Sequence, residues 1–230
     1  ALTQAPDYLM HQQSLQQVPR LVVLISGGGS NLQTLIDAIA TGTIVASIEL
    51  VISNTATAMG LVRANKAGIA TQVINHLEFG SREAFERELM HAIDDKQPEL
   101  VVLAGFMRIF TPQLTDHFYG RMLNIHPSLL PQFKGTNTHE RAIEAEVETH
   151  GASVHFVSSE LDGGPMVIQA SVPVLELDSP SVLGARVLAQ EHIIYPIAIK
   201  WFCEGRLTLQ NEAVLMDGHP LPAQGMQFQS

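Results

Sequence analysis

The fold is constrained first by an alternation that begins at Leu21. A five-residue apolar run, Leu21-Val22-Val23-Leu24-Ile25, gives way to the small residues Ser26 to Ser30, and then to a segment with apolar side chains at Leu32, Leu35, Ile36 and Ile39. A continuous apolar run suits a strand buried on both faces, and a spacing of three and four suits an amphipathic helix, so the unit reads strand, tight loop, helix. Ser30 is expected to cap this helix with Gln33 three residues on, and Gly42 to end it. The unit repeats. Ile48 to Ile52 leads into Ser53-Asn54 and a helix ending at Gly68, followed by a short strand, Thr71 to Ile74. Ser81 opens a helix presenting Phe85, Leu89, Ala92 and Ile93, and Pro98 separates it from the strand Leu100 to Ala104. Thr111-Pro112 reads as cap and first helical residue of a short helix before the strand Arg121 to Asn124.

The pattern then changes. Ala152 to Val157 and Met166 to Val174 have strand character and are joined by the glycine-containing loop Ser158 to Pro165. A last helix is expected after Ser179-Pro180, running towards Gly205 with a kink or break near Pro196. Val214-Leu215 reads as a short edge strand before a tail. The economical architecture is an α/β domain of three layers, with a mainly parallel central sheet, a late antiparallel addition, and a ligand cleft at the carboxyl ends of the strands. The expected division is an amino-terminal extension over 1–19, one domain over 20–222 and a carboxyl-terminal tail over 223–230.

Composition narrows the class of partner. The 230 residues carry 13 Lys plus Arg against 23 Asp plus Glu, a formal charge of −10 that repels phosphate backbones and anionic lipid surfaces. Neither nucleic acid nor membrane is expected as a partner. The longest apolar stretch, Leu100 to Met107, is far short of the roughly 20 residues a membrane helix needs. Cys203 is the single cysteine, so no disulfide framework forms within one chain, and the expected compartment is the reducing cytoplasm. The first twenty residues hold five glutamines and no apolar run of the secretory kind.

Three segments can carry chemistry. Gly27-Gly28-Gly29-Ser30-Asn31 lies between the first strand and first helix, where free amides and the positive helix end favour an anion such as phosphate. It is not a dinucleotide loop, because Leu32 stands where G-x-G-x-x-G needs its third glycine and no acidic residue ends the second strand. Asn124 and His126, two apart at a strand end, point to the same side, with Pro127 and Pro131 stiffening the loop that follows. Leu161-Asp162-Gly163-Gly164-Pro165 supplies a carboxylate in a turn. If that turn folds over His126, the carboxylate favours an imidazolium able to act as an acid or to stabilise an oxyanion. His139-Glu140 begins like H-E-x-x-H, but Ile143 replaces the second histidine, and no metal site is expected. The remaining histidines read as surface or core residues.

Gly29-Ser30-Asn31, Ala104-Gly105-Phe106-Met107-Arg108-Ile109, Asn124-Ile125-His126-Pro127-Ser128-Leu129-Leu130-Pro131 and Glu160-Leu161-Asp162-Gly163-Gly164-Pro165 together resemble the phosphoribosylglycinamide formyltransferase family, in one colinear sweep from about Leu21 to Pro222. The resemblance implies a Rossmann-like formyltransferase fold. It implies transfer of the formyl group of 10-formyltetrahydrofolate, as co-substrate, to the amine of phosphoribosylglycinamide, giving formylglycinamide ribotide and tetrahydrofolate in purine biosynthesis without a metal. By matching position, Asn124, His126 and Asp162 form the catalytic trio. Gly29, Ser30 and Asn31 hold the substrate phosphate and Glu191 its ribosyl part. Arg82, Met107, Arg108, Ile109 and Phe110, with the backbone of Ser158 to Asp162, line the folate side. Asn137 stands where the family commonly has His, Leu188 where some relatives carry a polar residue, and Gly28 where some have Asn.

The trio specifies formyl chemistry more sharply than it specifies the acceptor. Formyltetrahydrofolate deformylase is the nearest alternative, but it carries a front regulatory domain for which the Gln-rich extension leaves no room. Methionyl-tRNA formyltransferase needs a carboxyl-terminal RNA-binding domain and a basic surface. A phosphate-binding module without catalysis is the alternative from another class, and the intact trio weighs against it. A monomer or homodimer is expected.

Overall fold

The structure is a computed structural model and describes residues 17–229. Most of the expected amino-terminal extension therefore lies outside the described residues. The first strand, β1, spans Arg20–Ile25, and the helix after it, α1, spans Ser30–Ala40. Then follow β2 (Ser47–Ser53), α2 (Met59–Lys66), β3 (Thr71–Val73), α3 (Arg82–Asp95), β4 (Leu100–Leu103), α4 (Pro112–His117) and β5 (Met122–His126). The second half holds α5 (Thr138–Glu144), β6 (Thr149–Phe156), β7 (Met166–Pro173), α6 (Pro180–Cys203), β8 (Leu207–Gln210), β9 (Ala213–Met216), β10 (His219–Pro220) and β11 (Met226–Phe228).

Eight strands form one sheet in the order β11-β7-β6-β5-β4-β1-β2-β3. Strands β3, β2, β1, β4 and β5 are mutually parallel, whereas β6 runs antiparallel to both β5 and β7. The late antiparallel addition is thus part of the main sheet, and β8, β9 and β10 make a separate antiparallel sheet.

The alternation of β1 explains the layers. Leu21, Val23 and Ile25 join a core with Leu32 and Leu35 of α1, Leu61 of α2, and Leu183 and Val187 of α6. Val22 and Leu24 face the other way, towards Phe85, Leu89 and Ile93 of α3 and Leu114 of α4. A strand apolar at every position is therefore read correctly as one covered on both sides. Because β2 lies on one side of β1 and β4 on the other, the chain reverses its direction of travel across the sheet there, and the loops after β1 and β4 diverge to open a crevice.

Several local expectations are corrected. Ser30 does not cap α1: Gly29 occupies the N-cap with φ 73°, a left-handed conformation, and no side chain caps the helix. Thr111 is at the N-cap of α4, but its hydroxyl donates to Glu86 Oε1 at 2.5 Å instead of capping. That bond explains why Glu86 is buried on α3 beside Phe85, Leu89 and Ile93. Ser81 does cap α3, accepting from the Ala84 amide at 3.1 Å. Helix α6 runs through Pro196 without a break, since Ile194, Tyr195, Ala198 and Ile199 on both sides of the proline are packed in the core. The stretch 223–230, expected as a tail, supplies β11, which pairs in parallel with β7 from Met226↔Ile168 to Phe228↔Ala170.

Candidate active site

The crevice is built from the loops that leave the carboxyl ends of β1, β4 and β5, together with the loop between β6 and β7. On β5, Leu123 and Ile125 are committed to the helix-covered core, which turns Asn124 and His126 to the opposite face. His126 is 5% exposed, and its Nε2 donates to the Phe133 carbonyl at 2.8 Å. Its Nδ1 lies 3.5 Å from Asp162 Oδ1. The expected approach of the Asp162 turn to His126 is therefore present. Asp162 is held there by its own second oxygen, Oδ2, which accepts from the Gly135 amide at 2.8 Å.

The turn that presents Asp162 depends on its glycines. A Cβ at Gly164 would strike the Phe156 carbonyl, and Asp162 itself adopts φ 49°. Asp is among the few residues that tolerate this left-handed region, because its short side chain can bond locally.

His155, read from sequence as an ordinary histidine, belongs to this cluster. It pairs in register with Asn124 across β5 and β6, and its Nε2 is 3.3 Å from Asn124 Nδ2 and 3.9 Å from Asp162 Oδ1. Burial pushes its pKa down, so the ring is neutral, donating from Nδ1 to the Phe156 carbonyl at 3.0 Å and accepting from Asn124 at Nε2. Asn124 thereby has its amide orientation fixed, with its second N–H not used by His155. The alternation Ser153-Val154-His155 carried a signal for this residue, but it becomes readable only once the β5–β6 register is known.

At the end of β1, Gly29 opens α1, and the amides of the helix's first turn take no side-chain cap. A Cβ at Gly29 would lie 2.7 Å from Gly60 Cα and 3.4 Å from Arg63 Cδ, so the close approach of the loop to α2 requires glycine. Arg63, which no sequence motif singled out, donates from Nε to the Gly28 carbonyl at 2.7 Å and brings a cation to the rim of the anion turn. Asn31 Nδ2 reaches across to Glu191 Oε1 on α6 at 3.2 Å. Burial raises the Glu191 pKa to about 7, partly offset by that bond.

On the β4 side, Ser26 Oγ accepts from the Met107 amide at 2.8 Å and donates to Asn54 Oδ1 at 2.6 Å, tying this loop to the ends of β1 and β2. Phe106 and Phe110 stack at 5.4 Å with an interplanar angle of 17°, leaving Met107 and Ile109 exposed and Arg108 half-buried between them. Arg82 is the exposed first residue of α3, one helical turn before Glu86, whose carboxylate accepts from the Thr111 amide at 2.9 Å. The sequence-predicted residues therefore fall into three groups: the Gly29 turn with Glu191, the Asn124–His126–Asp162 cluster, and the Met107–Phe110 loop, with Arg82 at the start of α3. A cavity of about 790 Å³ borders the cluster on the Asp162 side, lined by Asp162, Ser158, Glu160, Lys134 and Met166, with neither Asn124 nor His126 on its wall. No group of three or more potential metal ligands is gathered among the described residues.

A glycine-opened helix start, an Asn–His–Asp cluster and an aromatic-bearing loop thus lie around the switch point of a mainly parallel sheet. The family model described as formyl transferase matches residues 19–199, and the chain belongs to that family. It is 55% identical over 205 residues to the phosphoribosylglycinamide formyltransferase of Escherichia coli (strain K12), covering 89% of this chain and 97% of that protein. The Haemophilus influenzae protein of the same name is 48% identical over 206 residues, covering 90% and 97%. A solved phosphoribosylglycinamide formyltransferase from Coxiella burnetii superposes with a TM-score of 0.89 at 49% identity, covering 93% of this chain and all of that one. Within the family, the chain belongs with the phosphoribosylglycinamide formyltransferases.

Proposed function

We propose that this protein transfers the formyl group of 10-formyltetrahydrofolate to the amine of phosphoribosylglycinamide, a step of purine biosynthesis carried out in the cytoplasm. The observation that carries the reading is the convergence of Asn124, His126 and Asp162 between a phosphate-type turn and an apolar loop. A deformylase has no use for the first of these neighbours, because water needs no phosphate anchor.

The substrate phosphate sits on the amides of Ser30 and Asn31 with Arg63 behind them, and Asn31 and Glu191 face the ribosyl hydroxyls. The folate ring lies against Met107 to Phe110 and the backbone of Ser158 to Asp162, with Arg82 and Arg108 on the side of its acidic tail. The amine attacks the formyl carbon, and the carbonyl electron pair moves to oxygen. The developing oxyanion takes hydrogen bonds from the free Asn124 N–H and from His126 Nε2, competing with the Phe133 carbonyl for the latter donor. A ring protonated on both nitrogens finds an acceptor for each, since Nδ1 faces Asp162. Collapse breaks the bond from carbon to the folate nitrogen, and the proton shed by the attacking amine ends on that nitrogen.

The test is tetrahydrofolate formation from 10-formyltetrahydrofolate by purified protein, with and without phosphoribosylglycinamide and with the product mass checked. Turnover only with the amine, and formylglycinamide ribotide as product, supports the reading. Formate release without the amine overturns it in favour of hydrolysis.

A further inference from the structure

The sheet places a row of polar residues beside His126 that the chemistry above does not use. His126 pairs with Ser153 on β6, Ser153 with Gln169 on β7, and Gln169 with Gln227 on β11. Directly paired residues stand on one face of a sheet, so the four side chains form a line running from the site to the carboxyl-terminal edge. Ser153 and Gln169 are 0% and 2% exposed.

The row holds the loop that leaves β5. Ser153 Oγ donates to the Ser128 carbonyl at 2.7 Å and accepts from the Leu130 amide at 3.1 Å. Gln169 Nε2 donates to the Leu130 carbonyl at 2.8 Å and to Ser153 Oγ at 2.9 Å. Gln227 Nε2 donates to Gln169 Oε1 at 3.1 Å, which fixes the Gln169 amide the right way round: turned over, its oxygen would face the Leu130 carbonyl. Three backbone groups of Ser128 and Leu130 are thus paired with sheet side chains, and any shift of the loop leaves buried polar groups unpaired. The same loop ends at Phe133, whose carbonyl holds His126 Nε2. The outer strand is fitted to this task, since Gly225 has φ 77° and a Cβ there would lie 2.6 Å from the Val167 carbonyl carbon.

We infer that Gln169 is a positioning residue for His126, acting through the Ser128–Phe133 loop, and that the carboxyl-terminal strand takes part in catalysis by orienting it through Gln227. The inference rests on His126 being catalytic, as proposed above. It is tested with Gln169→Leu, Gln227→Leu and the double variant, reading hydrogen exchange at the Leu130 amide together with kcat and KM for both substrates. Gln169→Leu is expected to speed Leu130 exchange and lower kcat about 100-fold, with both KM values within about threefold, because a small displacement of a catalytic group acts on the transition state. Gln227 is exposed, so Gln227→Leu folds; it is expected to do the same more weakly, lowering kcat about fivefold, as loss of one hydrogen bond at a partly wet edge does. The double variant should be no slower than Gln169→Leu, since Gln227 acts only through Gln169. Unchanged Leu130 exchange or unchanged kcat in Gln227→Leu, or losses that multiply in the double variant, would overturn the inference. A His126→Ala variant that keeps wild-type kcat removes the reading of the site instead, and Leu130 exchange still reports on the row by itself.

Discussion

Asn31, in the first turn of α1, donates to Glu191, in the middle of α6, across 3.2 Å and 160 residues of chain. Glu191 is 8% exposed, and among the described residues the buried Asn31 Oδ1 has no hydrogen-bond partner, so the pair presents a polar atom left unsatisfied there. Such groups cost stability unless a ligand takes up their bonds.

Glu191 therefore makes stability depend on pH. Its pKa in the folded state is raised from 4.5 to about 7, so the folded protein holds this proton more tightly than the unfolded chain. That contribution is complete below pH 4.5 and is lost as pH rises through 7. Glu191→Gln should match the parent in the acid range and exceed it at pH 8, by about 3 kcal/mol in urea unfolding. A difference that does not grow with pH would contradict the burial of a protonated carboxyl.

The buried histidines act in the opposite direction. Burial, with the neighbouring charges of His139 and His126, lowers the His150 pKa to about 4, and burial also lowers those of His139 and His155. A depressed histidine pKa gives stability that is full above 6.5 and falls away as pH drops towards 4, because the unfolded chain takes the proton first. His150→Gln should flatten that acid loss while leaving the stability change between pH 7 and 8 as it was. Parallel slopes for the two proteins in thermal melts from pH 7 to 4 would show that His150 is protonated in the folded state.

For the chemistry, His126→Ala is expected to lower kcat about 10²- to 10⁴-fold, the usual range for a positioned acid or oxyanion donor. Its melting temperature should change little in comparison. Asp162→Asn keeps the turn and the volume but removes the charge that faces Nδ1 at 3.5 Å, so KM for both substrates should persist while kcat falls about 10-fold or more. An unchanged kcat would assign Asp162 to the architecture of the turn through its bond to Gly135.

Tyr195 links α6 to the sheet beneath the site: its hydroxyl lies 2.7 Å from the Leu103 carbonyl and 3.0 Å from that of Leu123, on two neighbouring strands. Tyr195→Phe leaves both carbonyls at a place that is 2% exposed and should cost about 1–3 kcal/mol in equilibrium unfolding. A loss well under this would mean that water enters to replace the phenol.

The elements most legible in the sequence were those whose signal is local. The unit β1, Gly29 turn and α1 follows from a continuous apolar run and a helical period, and Asn124 with His126 follows from strand alternation. Long-range facts were not legible in the same way. Gly29 displaced Ser30 as the cap because the turn must pass close to Gly60, on a different helix. Pro196 left α6 unbroken because packing on either side outweighs one missing hydrogen bond. His155 and Arg63 gained their places by register and by tertiary approach, and Met226–Phe228 became a strand only because β7 offers it an edge.

The two borders of the large sheet, β3 and β11, are three residues long, while β6 and β7 in its interior have eight each. A border of three residues offers few unpaired amides and carbonyls to a passing chain, so the sheet is a poor template for fibril growth even though β4 near its centre is apolar throughout. The sequences best able to seed such growth are the ones the fold keeps furthest from its rim.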